Sequence, residues 1–408
     1  MIKLKTYKYN ELLINIGLVI LFIFSFFLTQ SYFGTANYVL FPNLYKGIFA
    51  VILVVAILKM YGKLKMKDKD IKLYLRLILP FIAILIWSIF LCYYIGKLSV
   101  KTTINELQTR IIMPVAACAM CYLFGKRLVN CIFWAASINY LIYVIEFIRI
   151  YGVTGLLKFV SLTDAATTGH RPLEVHEVTF IYGLLILYYV ITWKKQREPF
   201  KLIISIIFCT LGYKRILFAG LAVGILIFYI MGRAKNKNKV IKLISILLFV
   251  FCIIWVISTG SGLFFLIADK FGIELNARDK ILAFLNGNYE VSLFYIGKGV
   301  GYVHNMMYQL VLQGIAGTSG FHNDILLYYI DLGCIPFLLF FSNMIIFISK
   351  FVNKNYGFFS TVSYLILLSY TVVCWTTDNL ATYPNYLLVY NILVIVLITG
   401  RRQTKSIE

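Results

Sequence analysis

Two histidines stand in the longest polar stretch of an otherwise apolar chain, at residues 296–340. His304 lies near the start of this stretch, and His322-Asn323-Asp324 directly precedes an apolar run. Histidine titrates near neutral pH and can take a proton from a hydroxyl group. Ionisable residues at the mouth of a membrane helix are costly and suggest a functional site. A structural alternative stays open, in which Asn323 or Asp324 is simply the N-cap of the following helix.

Basic residues supply a second kind of chemistry, because an arginine can bind phosphate oxygens through two parallel hydrogen bonds. Lys214 and Arg215 interrupt a very short hairpin between two apolar segments, so their turn should be held at the membrane surface. Arg278 is a second candidate, although Glu274 and Asp279 could make it part of a surface ion pair. The charge pattern described below predicts that these cations lie outside, where basic residues are exceptions.

A glycine run, Gly297-Lys298-Gly299-Val300-Gly301, could present backbone N–H groups to an anion or could be a flexible turn. The sequence contains no GxxxxGK[ST] motif, so we do not expect this chain to use ATP itself. No cofactor is expected.

Metal sites are not favoured by the spacing of the potential ligands. Glu174-x-His176-Glu177 resembles half of a metal site, but no second cluster accompanies it. Asp68-Lys69-Asp70 lies between lysines and is interpreted as a solvated loop. Cys118-x-x-Cys121 lies among alanines in an apolar segment, which favours small helix-packing residues over a redox or metal pair. We therefore predict no metal.

The elements that position these residues are predicted to be membrane-spanning helices. The 408 residues are 61% hydrophobic and 14% charged, with a mean hydropathy of +0.85, unlike a soluble domain. A spanning helix needs about 20 apolar residues. The sequence therefore predicts an all-α polytopic integral membrane protein, with residues 1–408 as a single membrane domain. The roughly twelve predicted spans are residues 12–29, 38–60, 73–95, 104–124, 128–150, 178–193, 202–211, 216–231, 240–259, 324–349, 358–375 and 385–399.

The charge distribution predicts the orientation of these spans. With the N-terminus inside, 26 of the 39 Lys and Arg lie in or beside the cytoplasmic segments, and 12 of the 17 Asp and Glu lie outside. This is the positive-inside pattern, and it places both termini in the cytoplasm and a large loop, residues 260–323, outside. The net charge of +22 is thus explained by topology and attraction to anionic inner-leaflet lipid, without nucleic acid.

Four motifs in the second half follow one another in a recognisable order. They are Gly212-Tyr213-Lys214-Arg215, Arg278, Gly297-Lys298-Gly299 after aromatic residues, and His322-Asn323-Asp324-Ile325-Leu326 followed by Gly333. In order and predicted sidedness, the chain resembles the O-antigen polymerase and O-antigen ligase family, which handles lipid-linked glycans outside the bacterial inner membrane. Gly169-His170-Arg171-Pro172 also resembles the family's loop before the sixth span. His304-Asn305 is a second His-Asn pair that could align instead.

The resemblance implies a metal-independent glycosyltransferase of the bacterial inner membrane that uses an undecaprenyl-pyrophosphate-linked glycan. His322 would be the catalytic base. The implied partners of the protein are that glycan, membrane lipid, and a chain-length regulator and flippase of the same pathway. The implied pyrophosphate-binding residues are Arg215, Arg278 and Lys214. The implied contacts to the acceptor or glycan are His304, Asn323, Arg171, His176 and Glu177.

The predicted activity is that of a polymerase of a surface polysaccharide (O-antigen, capsule or exopolysaccharide), with a ligase and a flippase as the alternatives. A polymerase would join repeat units on their carrier, and a ligase would pass the finished glycan to another acceptor. A flippase for lipid-linked oligosaccharide belongs to another class, and transporters need charged or broken helices in the middle of the membrane. Arg76, Glu146 and Arg149 lie at or near span ends, while the polar residues concentrate outside, which favours the enzyme.

Overall fold

The computed structural model describes residues 2–29, 44–63, 67–160, 173, 175–272, 281, 284–285, 287–314 and 320–400. These residues are 83% helical and include no strand. The helices are α1 (Ile2–Thr29), α2 (Leu44–Lys63), α3 (Asp68–Ile95), α4 (Val100–Phe124), α5 (Arg127–Val160), α6 (His176–Thr192), α7 (Pro199–Gly212), α8 (Arg215–Arg233), α9 (Lys237–Gly260), α10 (Leu263–Lys270), α11 (Tyr302–Leu312), α12 (Asp324–Leu332), α13 (Cys334–Ser342), a π-helix (Asn343–Phe347), α14 (Ile348–Tyr356), α15 (Phe358–Cys374) and α16 (Pro384–Thr399).

Seven segments of the described chain are helical, long and apolar enough to cross a bilayer, as expected for a polytopic membrane protein. They are Glu11–Leu28, Asp68–Ile95, Val100–Phe124, Arg127–Ile150, Arg215–Arg233, Lys237–Gly260 and Cys334–Tyr356. Shorter apolar helices occupy Gly47–Leu58, Glu177–Thr192, Pro199–Gly212, Phe358–Cys374 and Pro384–Thr399. Each predicted span overlaps one of these helices, while the number of spans that cross and their direction stay predictions.

The helices form two compact units, each assembled from separate parts of the chain. The first comprises Met1–Leu64, Val115–Leu221 and Pro384–Glu408. Within it α1 packs on α5, and α6 packs on both α7 and α16. The ring of Tyr140 lies between those of Tyr182 and Phe208, with centroids 5.9 and 4.6 Å away. The predicted single membrane domain stays a prediction.

The second unit comprises Lys65–Pro114 and Ala222–Tyr383 and contains both histidines of the polar stretch. Within it α9 packs against α12, α13, the π-helix and α15, and α12 and α13 also contact α3. Buried aromatic rings of α12 and α13 fill this core: Tyr328 lies 5.1 Å from Phe340 and 6.1 Å from Phe341.

The predicted span 324–349 is not one continuous helix, which corrects the sequence analysis. Gly333 has φ 85° and ψ 171°, so α12 ends at Leu332 and α13 begins at Cys334. Gly333 packs directly against the backbone of Gly297, which also has a positive φ, of 89°. A Cβ on either glycine would overlap the backbone at the other. The helix is therefore broken where another segment of backbone crosses it.

Hydrogen bonds hold this crossing together. The N–H groups of Lys298 and Gly299 donate to the carbonyl oxygen of Asp331, at 3.1 and 2.8 Å. The N–H of Cys334 donates to the carbonyl of Tyr295 at 2.8 Å. The carbonyls at the end of α12 are thus satisfied by the crossing segment instead of by the next helical turn.

Candidate functional site

His322 is held in an unusual backbone conformation at the entrance to α12. Its φ is 54°, in the left-handed region that non-glycine residues seldom adopt. Its backbone N–H donates to Oδ1 of Asn379 at 2.6 Å. Asn379 lies in the turn between α15 and α16 and is almost completely buried. The conformation of His322 is therefore fixed by a residue far away in sequence, as strained residues at functional sites commonly are.

The imidazole ring of His322 is partly exposed and lies against a buried carboxylate. Its Nδ1 is 4.0 Å from Oδ1 of Asp378, and the two side chains are 27% and 1% exposed. The Oδ1 atom of Asp378 also accepts hydrogen bonds from the N–H of Asn379 at 2.9 Å and the hydroxyl of Tyr383 at 3.2 Å. A buried carboxylate oriented in this way can stabilise a protonated imidazole that forms nearby.

Two groups compete for Nδ1 of His322. The Nδ2 atom of Asn379 lies 3.5 Å away, so donation from Asn379 would leave the ring hydrogen on Nε2. Donation from Nδ1 to Asp378 would instead leave Nε2 free to accept a proton. Only the second tautomer makes Nε2 a base, and it requires the 4.0 Å separation from Asp378 to shorten.

The space beside His322 is limited by Gly320. A Cβ at Gly320 would lie 3.0 Å from Nε2 of His322 and would overlap Nδ2 of Asn379. A larger residue at this position would therefore have to displace the ring of His322 or the amide of Asn379.

Asn323 is the N-cap of α12, so the structural alternative considered for the His-Asn-Asp motif is confirmed for this residue. Its Oδ1 accepts from the N–H of Leu326 and from Nε1 of Trp255, each at 3.1 Å. Asn323 is 5% exposed. The motif therefore combines a partly exposed histidine with a buried helix cap.

Asp324 is fully buried and anchors the turn that carries Asp378 and Asn379. Its N–H donates to the carbonyl of Trp375, and its Oδ2 accepts from the N–H of Ala381, at 2.8 and 2.7 Å. Its other carboxylate oxygen, Oδ1, has no hydrogen-bond partner. Asp324 therefore holds the two segments of the site together.

A buried arginine faces the same helix. Arg110 is 2% exposed, and its Cζ lies 5.1 Å from the centroid of the Tyr328 ring. The carboxylates of Asp331 and Asp324 act on it electrostatically, as does Glu106 one turn earlier in α4. Its Nε and Nη1 have no hydrogen-bond partner. The predicted span 104–124 already contained Arg110, and the helix extends further towards the N-terminus, with α4 beginning at Val100.

Asp331 binds part of the glycine run, for which anion binding and a flexible turn were the two alternatives. Its Oδ2 accepts from the N–H of Gly301 at 3.0 Å and its Oδ1 from the N–H of Val303 at 3.2 Å. The N–H of Val300 donates to Ser88 Oγ. The run therefore binds the protein's own buried carboxyl group, which caps α11.

His304 lies on α11 and not in a loop, which corrects the sequence analysis. Its Nε2 is 3.8 Å from Oε1 of Glu106, and its side chain is 46% exposed. Glu106 and Asp324 both act on Arg110, and Asp378 acts on Asp324, so the carboxylates beside the two histidines belong to one electrostatically coupled cluster. Lys298 lies near this cluster; burial lowers its pKa, Lys97 acts in the same direction, and Glu290 opposes both.

The turn between α7 and α8 consists of Tyr213 and Lys214 only. Tyr213 has a left-handed φ of 38°. Lys214 Nζ lies 5.5 Å from the centroid of the Phe180 ring. Arg215 is exposed as the first residue of α8. The short hairpin expected from the sequence is present, and Arg215 is accessible to a ligand.

The remaining predicted contacts divide into a buried helix cap and residues outside the described chain. Glu177 is 3% exposed, and its Oε2 accepts from the N–H groups of Asn385 and Tyr386 at 2.8 and 3.3 Å, at the N-terminus of α16. No group of three or more potential metal-ligating side chains occurs among the described residues. Arg171, Arg278, Glu174 and the side chain of His176 lie outside them.

Sequence reasoning missed Asp378, Asn379 and Arg110. The pair Asp378-Asn379 forms part of a polar turn between two apolar helices, which was the signal available. No family model matches this chain, and no curated protein matches it, so the family resemblance stays a prediction.

Proposed function

We propose that this protein polymerises undecaprenyl-pyrophosphate-linked oligosaccharide repeat units into a surface polysaccharide by metal-independent glycosyl transfer. The observation that carries the proposal is the partly exposed ring of His322, fixed by Asn379 and backed by the buried carboxylate of Asp378. The order of motifs that includes Arg215 and Arg278 supports a polyprenyl-pyrophosphate-linked glycan as the donor.

The proposed reaction is one displacement at an anomeric carbon. Nε2 of His322 removes the proton of the acceptor hydroxyl, while Asp378 stabilises the imidazolium that forms. The acceptor oxygen forms the new glycosidic bond as the bond between the anomeric carbon and the pyrophosphate oxygen breaks. Undecaprenyl pyrophosphate leaves with the bonding electron pair, and Arg215 and Arg278 neutralise its charge. His322 then releases its proton to water.

The proposal places the reaction on the outer side of the bacterial inner membrane, with both termini cytoplasmic. A ligase would use the same groups with a different acceptor. Purified protein in detergent, supplied with lipid-linked repeat units, should extend the glycan on its carrier. Transfer only when a second acceptor is supplied would favour the ligase. A tag after residue 408 that is accessible from outside intact cells would contradict the topology.

A flippase is the second candidate, and the break at Gly333 together with buried Arg110 specifically favours it. Neither feature was expected from the sequence. Detergent removes the membrane barrier, so chain growth there requires an enzyme. Translocation of a fluorescent lipid-linked oligosaccharide in proteoliposomes, with no growth in detergent, would identify the flippase instead.

A further inference from the structure

An apolar groove runs along the second unit, apart from the histidines. It has a volume of about 640 Å³ and is lined by one face of α3, from Lys72 to Trp87, and by residues 336–343. The lining residues of α3 recur every three or four positions, so they form one continuous stripe of the helix. Ligand-binding clefts in proteins have a similar volume, roughly 300–1,000 Å³.

The part of the groove between Arg76 and Trp87 is about as long as half of a bilayer's hydrocarbon core is thick. Arg76 and Trp87 are eleven residues apart on α3, about 16 Å at 1.5 Å per residue. Half of a bilayer's hydrocarbon core is about 15 Å. A lipid chain lying along the groove would therefore extend from one membrane surface to the middle.

One end of the groove is basic. Lys72 and Arg76 are exposed, one helical turn apart, and both line it. The Cζ of Arg76 lies 4.7 Å from the centroid of the Phe351 ring, which restrains the guanidinium. The nearby carboxylate of Asp70 accepts a hydrogen bond from the hydroxyl of Tyr356 at 2.6 Å. Neither cation forms an ion pair with a carboxylate of the described residues.

The other end and one wall are rigid. Nε1 of Trp87 donates to the carbonyl of Leu332 at 2.8 Å, which fixes the indole at the deep end. The opposite wall includes Asn343, the first residue of the π-helix. Such π-bulges in helices frequently occur at functional sites.

We propose that this groove binds one chain of an anionic phospholipid, with the lipid phosphate at Lys72 and Arg76 and the end of the chain at Trp87. The guanidinium binds phosphate oxygens by paired hydrogen bonds, and the ammonium adds a point charge. The charge distribution predicts that Lys72 faces the cytoplasm, where anionic lipid is abundant. The proposal does not depend on the glycosyl-transfer activity.

Native mass spectrometry of the purified full-length protein tests this binding. Long-chain phosphatidylglycerol should bind more tightly than phosphatidylcholine with the same chains. The affinity for phosphatidylglycerol should fall at least about tenfold in the variant Lys72→Gln/Arg76→Gln. The matched control is Lys350→Gln/Lys354→Gln, which removes two exposed cations at the same spacing from α14, outside the groove. Equal losses in both variants would overturn the proposal.

A second variant tests the apolar part. Ala83 is exposed within the groove, so Ala83→Phe should fill it and weaken binding of the long chain. Inorganic phosphate should not displace the lipid, because the proposed site requires the chain. Displacement by phosphate alone, or unchanged binding to Ala83→Phe, would identify a surface phosphate site and refute the groove.

Fluorescence keeps the test valid where a charge variant fails to fold. Phosphatidylglycerol with brominated chain ends should quench the wild-type protein, and Trp87→Phe should lose a part of that quenching. Quenching that is identical in wild type and Trp87→Phe would show that no chain reaches the deep end.

Discussion

The Nδ1 atom of His322 lies 4.0 Å from Oδ1 of Asp378, although the two residues are 56 positions apart in the sequence. The carboxylate is buried and the imidazole is accessible. If this pair supplies the base, Asp378→Asn removes the charge that stabilises the imidazolium, although the amide oxygen can still accept a hydrogen bond from Nδ1–H. The rate of chain extension should fall by about 10²–10⁴-fold, with the protein still folded.

The control for this change is Asp269→Asn, at an exposed position on α10. The double variant Asp378→Asn/His322→Ala should be no slower than His322→Ala alone, because the two residues act as a unit. Multiplied losses in the double variant would show that Asp378 acts independently of the histidine.

The second prediction separates the two histidines. His322→Ala should reduce chain extension by at least about 100-fold, whereas His304→Ala should retain it in weakened form. His304 contacts Glu106 on α4 at 3.8 Å and is the more exposed of the two. Purified lipid-linked repeat units in detergent provide the assay. The reverse outcome would move the base to His304.

The third prediction concerns the space beside the ring. Gly320→Ala adds one methyl group that meets Nε2 of His322 and Nδ2 of Asn379. Displacement of the base by about 1 Å can cost about 100-fold in rate. Gly287→Ala is the control, because no atom lies within 4 Å of its added Cβ. Equal activity of the two variants would show that the ring tolerates displacement.

The fourth prediction concerns phosphate recognition. Arg215→Lys keeps the charge and loses the paired hydrogen bonds, so donor-dependent activity should fall about 10–100-fold. Lys214→Gln should have a smaller effect, since its ammonium lies over the Phe180 ring. The amount of folded protein, measured by size-exclusion chromatography, should not change. Near wild-type chain growth in both Arg215→Ala and Arg278→Ala would place the pyrophosphate elsewhere.

The fifth prediction tests the buried charge cluster by stability. Arg110→Met removes the buried cation on which Asp324 and Asp331 act electrostatically, so the free energy of unfolding should fall by about 0.5–3 kcal/mol. The double variant Arg110→Met/Asp324→Asn should recover part of this loss, because Asn can still accept from the N–H of Ala381. Thermal unfolding in detergent compares the stability of the single and double variants with that of the wild type. A double variant that is less stable than the sum of the singles would refute the coupling.

The sequence predicts the helices well because each apolar run forms one, but it predicts their interruptions poorly. Residues 325–341 are apolar around Gly333, so the break in the helix leaves little trace in their pattern. The burial of Arg110 was not predicted, because the residue precedes the apolar part of its helix and its neighbours Asp324 and Asp331 are distant in the sequence. The contact between Asp378 and His322 could not be predicted, because the two residues are far apart in the sequence. The N-cap Asn323 was predictable, since capping is a local property.

The crossing of Gly297 and Gly333 has a consequence for protein engineering. A chimera that exchanges residues 260–323 between two related proteins would separate the crossing segment from the end of α12, with which it shares hydrogen bonds and close backbone contact. In such a chimera the crossing segment comes from one protein and the end of α12 from the other, so the two backbones are not matched to each other. Exchanges of residues 260–334 include both sides of the crossing, so substrate specificity should be transferable only with this longer segment.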